Sequence, residues 1–295
     1  MSVTQAAPSG DPRVERAYDH CEEITRAEAR NFAYGIRLLP AQQRRAMSAL
    51  YAVARRIDDI GDGDQPPAAK ASALSRVRQD LQAIDTDPGA AGDDPVLIAL
   101  ADALRRYPIP LTALHELVDG CQMDVDGVTY ERFEDLVVYC RRVAGTVGRL
   151  SLGVYGCTQR ARAEPLADAL GVALQITNIL RDIVEDRDTM GRVYLPRQDL
   201  ARFGVDAEVR GPMDSLLALV TFEAGRAEEF YDEGLALLPL LDRRSRACTA
   251  AMAGIYRQLL TRIQRNPAGV FEGRMSLRAH EKARVAWRGL TRGTL

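Results

Sequence analysis

The segment from Leu170 to Leu180 is apolar on nearly every face of a helix, yet a line of small and polar residues is cut into it. Gly171, Gln175, Asn178, Asp182 and Asp186 recur at three- and four-residue spacing, which places them on one stripe. A helix that is apolar all round belongs in a core. Amides and carboxylates in a core need partners, because burying an unpaired carboxylate is costly. Any fold that accepts this segment must therefore satisfy the stripe, either across a neighbouring helix or in a lined cavity.

A second segment has the same construction. Leu50, Ala54, Asp58 and Asp62 follow i, i+4 spacing with Met47, Tyr51 and Arg55 beside them, so a face that begins as core ends in carboxylates and a guanidinium. Gly61 and Gly63 then close the helix near Asp62. In both segments two aspartates lie four residues apart, about 6 Å along a helix axis, where like charges repel. One such pair is noise; two suggest a shared cation site. Oxygen ligands without His or Cys suit Mg²⁺ or Mn²⁺, whose remaining shell is commonly water and substrate phosphate. Gln175 can donate to a phosphate oxygen, and Arg181 can reach a diphosphate from the flank. Arg192 and Tyr194 fall in the next loop, where a lid could close. Two plainer readings stay open: a solvated helix end paired with Arg55 and Arg56, and a polar seam against a neighbouring helix.

The chain has 295 residues, 46% hydrophobic and 27% charged, with a formal net charge of −2, so it can bury a large core. That balance gives no general case for nucleic-acid binding. Ala, Leu, Arg and Glu are abundant and β-branched runs are few, so helix is the default. Loop signals fall at Leu39-Pro40, Gly61 to Pro67, Asp85 to Pro95, Pro108 to Pro110, Asp126-Gly127, Gly191 to Pro196, Gly204 to Pro212 and Asn266-Pro267. Asp93-Asp94-Pro95 has the pattern of an N-cap followed by a helix-starting proline. No strand alternation, repeat or linker interrupts this pattern. The expectation is one all-α domain over residues 13–295, behind a disordered tail at 1–12.

Cys21, Cys121, Cys140, Cys157 and Cys248 form no C-x-x-C pair, which suits reduced thiols in the cytoplasm. Cys140 and Cys157 read as buried small hydrophobes. His20, His115 and His280 form no metal motif. The tail lacks a signal-peptide core, and no run approaches the roughly 18 apolar residues of a transmembrane helix. Peripheral membrane association stays open, because a hydrophobic substrate could demand it. Asp124-Val125-Asp126-Gly127 superficially resembles a calcium loop but lacks the later ligands. A helix-ending turn is expected there, with Asp124 able to face an interior chamber.

Residues 55–62 (ArgArgIleAspAspIleGlyAsp), 139–148 (TyrCysArgArgValAlaGlyThrValGly) and 175–186 (GlnIleThrAsnIleLeuArgAspIleValGluAsp) together resemble the squalene/phytoene synthases. The resemblance runs from about Tyr18 to about Ala283 and implies an isoprenoid-synthase helical bundle around a central cavity. It implies that Asp58, Asp59 and Asp62, with Asn178, Asp182 and Asp186, hold a Mg²⁺ cluster around a prenyl diphosphate. Arg55, Gln175, Arg181 and Tyr256, with Tyr51 beside them, fall where the family contacts the substrate diphosphate. Tyr139 falls where a tyrosine lines the reaction chamber and assists proton loss or steadies a carbocation, although an ordinary phenol is a poor base. The catalytic set so implied is Tyr139, Asp58, Asp62, Asp182 and Asp186. Gly145, Gly148, Gly153 and Gly156 sit in a helical run, either to let a prenyl chain lie close or to pack helices densely.

There are departures. Where family members carry hydroxyls near the first helix, this chain reads Glu28-Ala29-Arg30-Asn31-Phe32, so Arg30 or Asn31 would have to replace them. The basic group Arg278, Lys282 and Arg284 is a further candidate to close over phosphate. The segment from Arg30 to Pro40 is similar to the hopanoid-pathway branch, which implies joining two farnesyl diphosphates into presqualene diphosphate. NADPH is not expected for that half-reaction, and no Rossmann fingerprint is present. Phytoene, dehydrosqualene or squalene formation is the nearest alternative. Head-to-tail elongation or terpene cyclisation on the same fold, and a non-catalytic helical scaffold, are the others.

Overall fold

Proline and aspartate decide where several helices begin. The Asp11 carboxylate accepts the Arg13 N–H, and Pro12 starts helix α1 (Pro12–Glu28). The computed structural model describes residues 11–29, 31–157 and 159–292. The expected tail therefore falls mostly outside the described residues, while Asp11 and Pro12, assigned to it, belong to the start of α1 instead. Helices α2 (Phe32–Ile36), α3 (Ala41–Asp62) and α4 (Pro67–Thr86) follow. Helix α5 (Pro95–Arg106) starts as the Asp93-Asp94-Pro95 pattern predicts: Asp94 accepts from the Val96 and Leu97 N–H groups. Next come α6 (Leu111–Val125), α7 (Phe133–Cys140), a π-helical turn (Arg141–Gly145) and α8 (Thr146–Tyr155). The longest helix, α9 (Arg160–Met190), precedes α10 (Arg197–Arg202) and α11 (Met213–Gly234). The chain ends in α12 (Arg243–Arg265), α13 (Gly269–Glu272) and α14 (Ala279–Arg292). No strand occurs among the described residues, so the all-α expectation holds.

Two apolar cores form. The first draws mainly on α1, α3, α4, α5, α6 and α8; the second on α7, α9, α11 and α12. Phe32 and Val143 pack against both, which marks the seam. Helix α9 passes from Ala163 and Ala167 in the first core to Ile176, Leu180 and Ile183 in the second. Its neighbours are α7, α8, α11 and α12, so the apolar run from Leu170 is buried as its composition requires.

The π-helical turn carries the chain from α7 into α8 against α9, and glycine makes that approach possible. A methyl group on Gly171 would lie 2.5 Å from the Gly145 nitrogen, and one on Gly148 would lie 2.7 Å from the Ala167 carbonyl oxygen. One on Gly153 would lie 2.8 Å from the Ile109 Cα. These contacts support dense helix packing, while Gly148 also borders the interior apolar cavity, so the role of letting a chain lie close stays open there. Arg141 adds an ion pair, 2.8 Å to Asp168 of α9. The five cysteines are unpaired; Cys140 is buried, whereas Cys157 is only half-buried. Among the described residues no helix is long and apolar enough to cross a membrane.

These contacts separate two glycine substitutions. Gly171→Ala forces backbone against backbone and should cost about 1–3 kcal/mol, read as a lower urea midpoint. Gly225 on α11 is exposed, with nothing within 4 Å of an added methyl group. Gly225→Ala should therefore gain up to about 1 kcal/mol in the same measurement.

Candidate active site

The ends of α3 and α9 face each other across a cavity at the seam between the cores. Asp58 and Asp62 from α3 face Gln175, Asn178, Asp182 and Asp186 from α9 across one polar cavity of about 300 Å³. Arg181, Asp124, Tyr139, Arg192 and Tyr194 complete its wall. The two stripes read from the sequence are thus opposite sides of one space. An apolar cavity of about 240 Å³ adjoins it and shares Asp58, Val143, Gln175 and Asn178 with it. Ile36, Leu50, Leu152, Leu174, Leu237 and Met252 line this chamber, with Tyr51, Arg55 and Tyr256. Phe32 links the aromatic rings, its centroid 6.5 Å from Tyr51 and 6.0 Å from Tyr256. A polar mouth therefore opens into an apolar chamber.

Asp59 does not join the cavity. It lies one residue past Asp58, about 100° further round the helix, where it pairs with Arg55 at 2.7 Å and faces a separate outer cavity. Arg55 lines both that cavity and the chamber. Asp59 thus stands apart from the carboxylates that line the polar cavity. Arg30 lies outside the described residues, while Asn31 buries an Oδ1 that has no partner. Arg278, Lys282 and Arg284 line neither the polar cavity nor the chamber. The basic residue that does reach α9 from this region is Arg274, 3.2 Å from Asp182 and 3.3 Å from Glu185.

The charges are unevenly met. Arg181 pairs with Asp182 of its own helix, with its Nε donating at 2.8 Å, and Arg274 takes the other flank. Arg192 donates to Asp62 at 2.7 Å and to the Gly61 carbonyl at 2.9 Å. Asp58 and Asp186 have no ion pair among the described residues. Burial, followed by the charge of Asp62, pushes the Asp58 carboxyl up to about 7. Burial and then Asp182 push Asp186 up to about 7.

Arg192 and Tyr194 reach the site because α9 stops at Gly191. This residue has φ 64°, a left-handed conformation that glycine adopts without strain, and the Arg192 N–H returns to the Asp186 carbonyl at 2.8 Å. The chain then crosses the cavity as a strap: Arg192 is pinned to α3, and the Tyr194 hydroxyl donates to Asp124 of α6 at 2.9 Å. Tyr139 donates to the other oxygen of Asp124 at 2.9 Å. Asp124 therefore faces the polar cavity rather than the apolar chamber, and the following Asp126-Gly127 is the turn that closes α6.

This donor set fits a hard divalent cation. Carboxylate oxygens line both sides of the cavity, and the buried Asn178 Oδ1 lacks a partner. No three acidic, histidine or cysteine side chains among the described residues converge on one point. Such a set would leave most coordination positions of a bound ion to water and phosphate oxygens, as Mg²⁺ sites commonly do.

The chain is similar to known proteins along nearly its whole length. A family model described as squalene/phytoene synthase matches residues 25–281. The phytoene synthase of Mycobacterium tuberculosis is 49% identical over 279 residues, covering 92% of this chain and 90% of that one. The phytoene synthase of Arthrospira platensis is 37% identical over 278 residues, covering 88% and 87%. Among solved structures, a ligand-bound dehydrosqualene synthase has a TM-score of 0.84 at 29% identity, covering 93% and 95%. The squalene synthase HpnC from Alicyclobacillus acidocaldarius has a TM-score of 0.75 at 30% identity, covering 85% and 94%.

The raised carboxyls carry a stability signature with a definite sign. Between about pH 4 and pH 7 folded Asp58 and Asp186 keep protons that the unfolded chain, with an aspartate pKa of about 3.9, has released. Stability in chelator-containing buffer therefore falls as pH rises through that window. Asp58→Asn and Asp186→Asn should each raise the thermal midpoint over the parent by roughly 2–4 °C at pH 8, with little change at pH 5. Thermal melts at the two pH values check this.

Proposed function

The chain belongs to the squalene/phytoene synthase family, and on that footing we propose that it joins two allylic prenyl diphosphates head to head, with phytoene as its product. The observation that carries this reading is the polar cavity, with aspartates on two facing helices, opening directly into an apolar chamber. A diphosphate suits the first and an isoprenoid chain the second. The named phytoene synthases, at 49% and 37% identity, support geranylgeranyl substrates and a C40 polyene over the presqualene diphosphate endpoint. A second reading retains a specific support: the solved structures similar to this chain include C30 enzymes, a dehydrosqualene synthase and a squalene synthase.

The first half of the reaction is common to both readings. The donor's C1–O bond breaks and diphosphate departs with the electron pair. The acceptor's C2–C3 double bond attacks C1, leaving a cation at C3. C1 then loses a proton, and its C–H electrons close a cyclopropane. The second diphosphate leaves later, and the rearranged cation ends by proton loss in phytoene or by reduction in squalene.

Asp58, Asp62, Asn178, Asp182 and Asp186 would hold Mg²⁺. When bound, that ion neutralises charge on the departing diphosphate. Arg181, Arg192 and Arg274, now paired with aspartates, are placed to exchange those partners for phosphate oxygens. Gln175 can donate from the same stripe. The chamber walls align the two chains and keep water from the cation. Tyr51 and Tyr256 line that chamber and bring to it aromatic rings, whose faces attract positive charge. Peripheral association with a membrane belongs to this reading, because the product is a hydrocarbon that water excludes.

Purified protein with Mg²⁺ and either geranylgeranyl or farnesyl diphosphate, with and without NADPH, should yield a C40 polyene from the C20 substrate independently of NADPH. Mass spectrometry identifies the product. A C30 cyclopropyl diphosphate from the C15 substrate, with the C20 substrate ignored, would replace phytoene with the C30 reading. Asp182→Ala should lower kcat by about 10²-fold or more while the thermal midpoint stays near that of the parent. No Mg²⁺-dependent diphosphate binding or turnover in the parent, with Asp182→Ala altering little beyond stability, would return the chain to a scaffold role.

A further inference from the structure

One acidic residue at the site belongs to neither aspartate stripe. Asp124 of α6 accepts two phenolic hydrogens, Tyr139 on Oδ2 and Tyr194 on Oδ1, each at 2.9 Å. The two rings stack with centroids 5.1 Å apart, and Tyr130 sits 5.5 Å from Tyr139. Asp124, Tyr139 and Tyr194 line the polar cavity, which meets the apolar chamber at Val143, one turn beyond Tyr139. A phenol whose hydrogen is committed to a carboxylate has only lone pairs left for a further partner.

We propose that Asp124 is a positioning residue that drains, through Tyr139, the proton lost when the cyclopropane closes. The inference rests on the head-to-head reading above. In this step the C1–H bond breaks and its electrons form the C1–C3 bond. The released proton bonds to Tyr139 Oη while the proton already on Oη passes to Asp124 Oδ2. Tyr139 ends neutral as it began, and Asp124 ends as a carboxylic acid.

The surroundings suit a relay and oppose a tyrosinate. Burial and the Asp124 charge hold the Tyr139 phenol well above its ordinary range, so it can accept a proton only as it gives one up. Burial also raises Asp124 above the usual carboxylate range, which makes it a better final acceptor. The groups facing it are Arg192 and Tyr194 from the strap, Asp62 from α3, Tyr130 just before α7, Tyr139 within α7, and Cys121 on α6. Arg192 favours its charge, and Asp62 opposes it. The aspartates of the two stripes are poorly placed for this task, because in the proposed function they hold the ion.

The test compares wild type with Asp124→Asn, Asp124→Glu, Tyr139→Phe and Tyr194→Phe, using the prenyl diphosphate that wild type converts, unlabelled and deuterated at C1. Asp124→Asn should lower kcat by about 10²-fold with KM within about threefold. It should also expose a primary deuterium isotope effect that wild type lacks. Asp124→Glu should recover much of the loss, and Tyr139→Phe should match Asp124→Asn with no further loss in the double variant. Tyr194→Phe should stay within about tenfold of wild type, since Asp124 keeps Tyr139. Wild-type kcat in Asp124→Asn, or a loss confined to KM or thermal midpoint with no isotope effect, overturns the relay. If Asp124→Asn does not fold, Tyr139→Phe decides alone, and the absence of an isotope effect there overturns the relay. A wild-type chain that forms no head-to-head product overturns both the relay and its premise.

Discussion

Carboxylates confronting one another at the junction of two apolar cores are the constraint on which the rest of this structure depends. Asp58 and Asp62 on α3 and Asp182 and Asp186 on α9 share a space that helix packing alone would have filled with hydrocarbon. Guanidinium groups offset part of the repulsion: Arg181 and Arg274 at Asp182, and Arg192 at Asp62. Asp58 and Asp186 are left over, and their carboxyls are the ones pushed up to about 7. The chain thus keeps an unmet demand for positive charge at the place where a diphosphate and its cations would sit. Leaving those two carboxyls without a cationic partner works against stability at neutral pH, a trade common at functional sites.

Close packing gives that confrontation its geometry. The backbone of the π-helical turn meets α9 at Gly145 and Gly171, closer than any side chain would allow. The same turn follows Tyr139 and carries Val143 to the boundary of both cavities. On the far side of α9, the left-handed Gly191 sends the strap back toward α3 and α6. Position in the site is therefore set by backbone contacts, which tolerate little change, rather than by the flexible tips of long side chains.

Much of this was legible in the residues because helical periodicity is local. Spacing alone put Asp58 with Asp62, and Gln175, Asn178, Asp182 and Asp186 together, and the loop signal at Gly191 marked the start of the strap. Asp59 entered the ligand set through the family resemblance, although its angle on α3 points it to Arg55 and the outer cavity. The basic residue closing on α9 proved to be Arg274 instead of Arg278, Lys282 or Arg284. No periodicity connects a short segment after α13 to α9. Asp124 was marked only as able to face the chamber; its two phenol partners come from the segment after α9 and from α7.

By itself the sequence determined that the chain is helical, that two helices carry acidic stripes out of apolar surroundings, and that oxygen ligands and a diphosphate suit them. Those properties depend on residues a turn apart, so the chain carries them before it folds. Tertiary structure decided which carboxylates share a cavity, which arginines meet them, and that an apolar chamber adjoins them. Arg192 and Asp62 stand 130 positions apart and meet at 2.7 Å. A contact of that kind is set by how whole helices pack, and no local pattern records it.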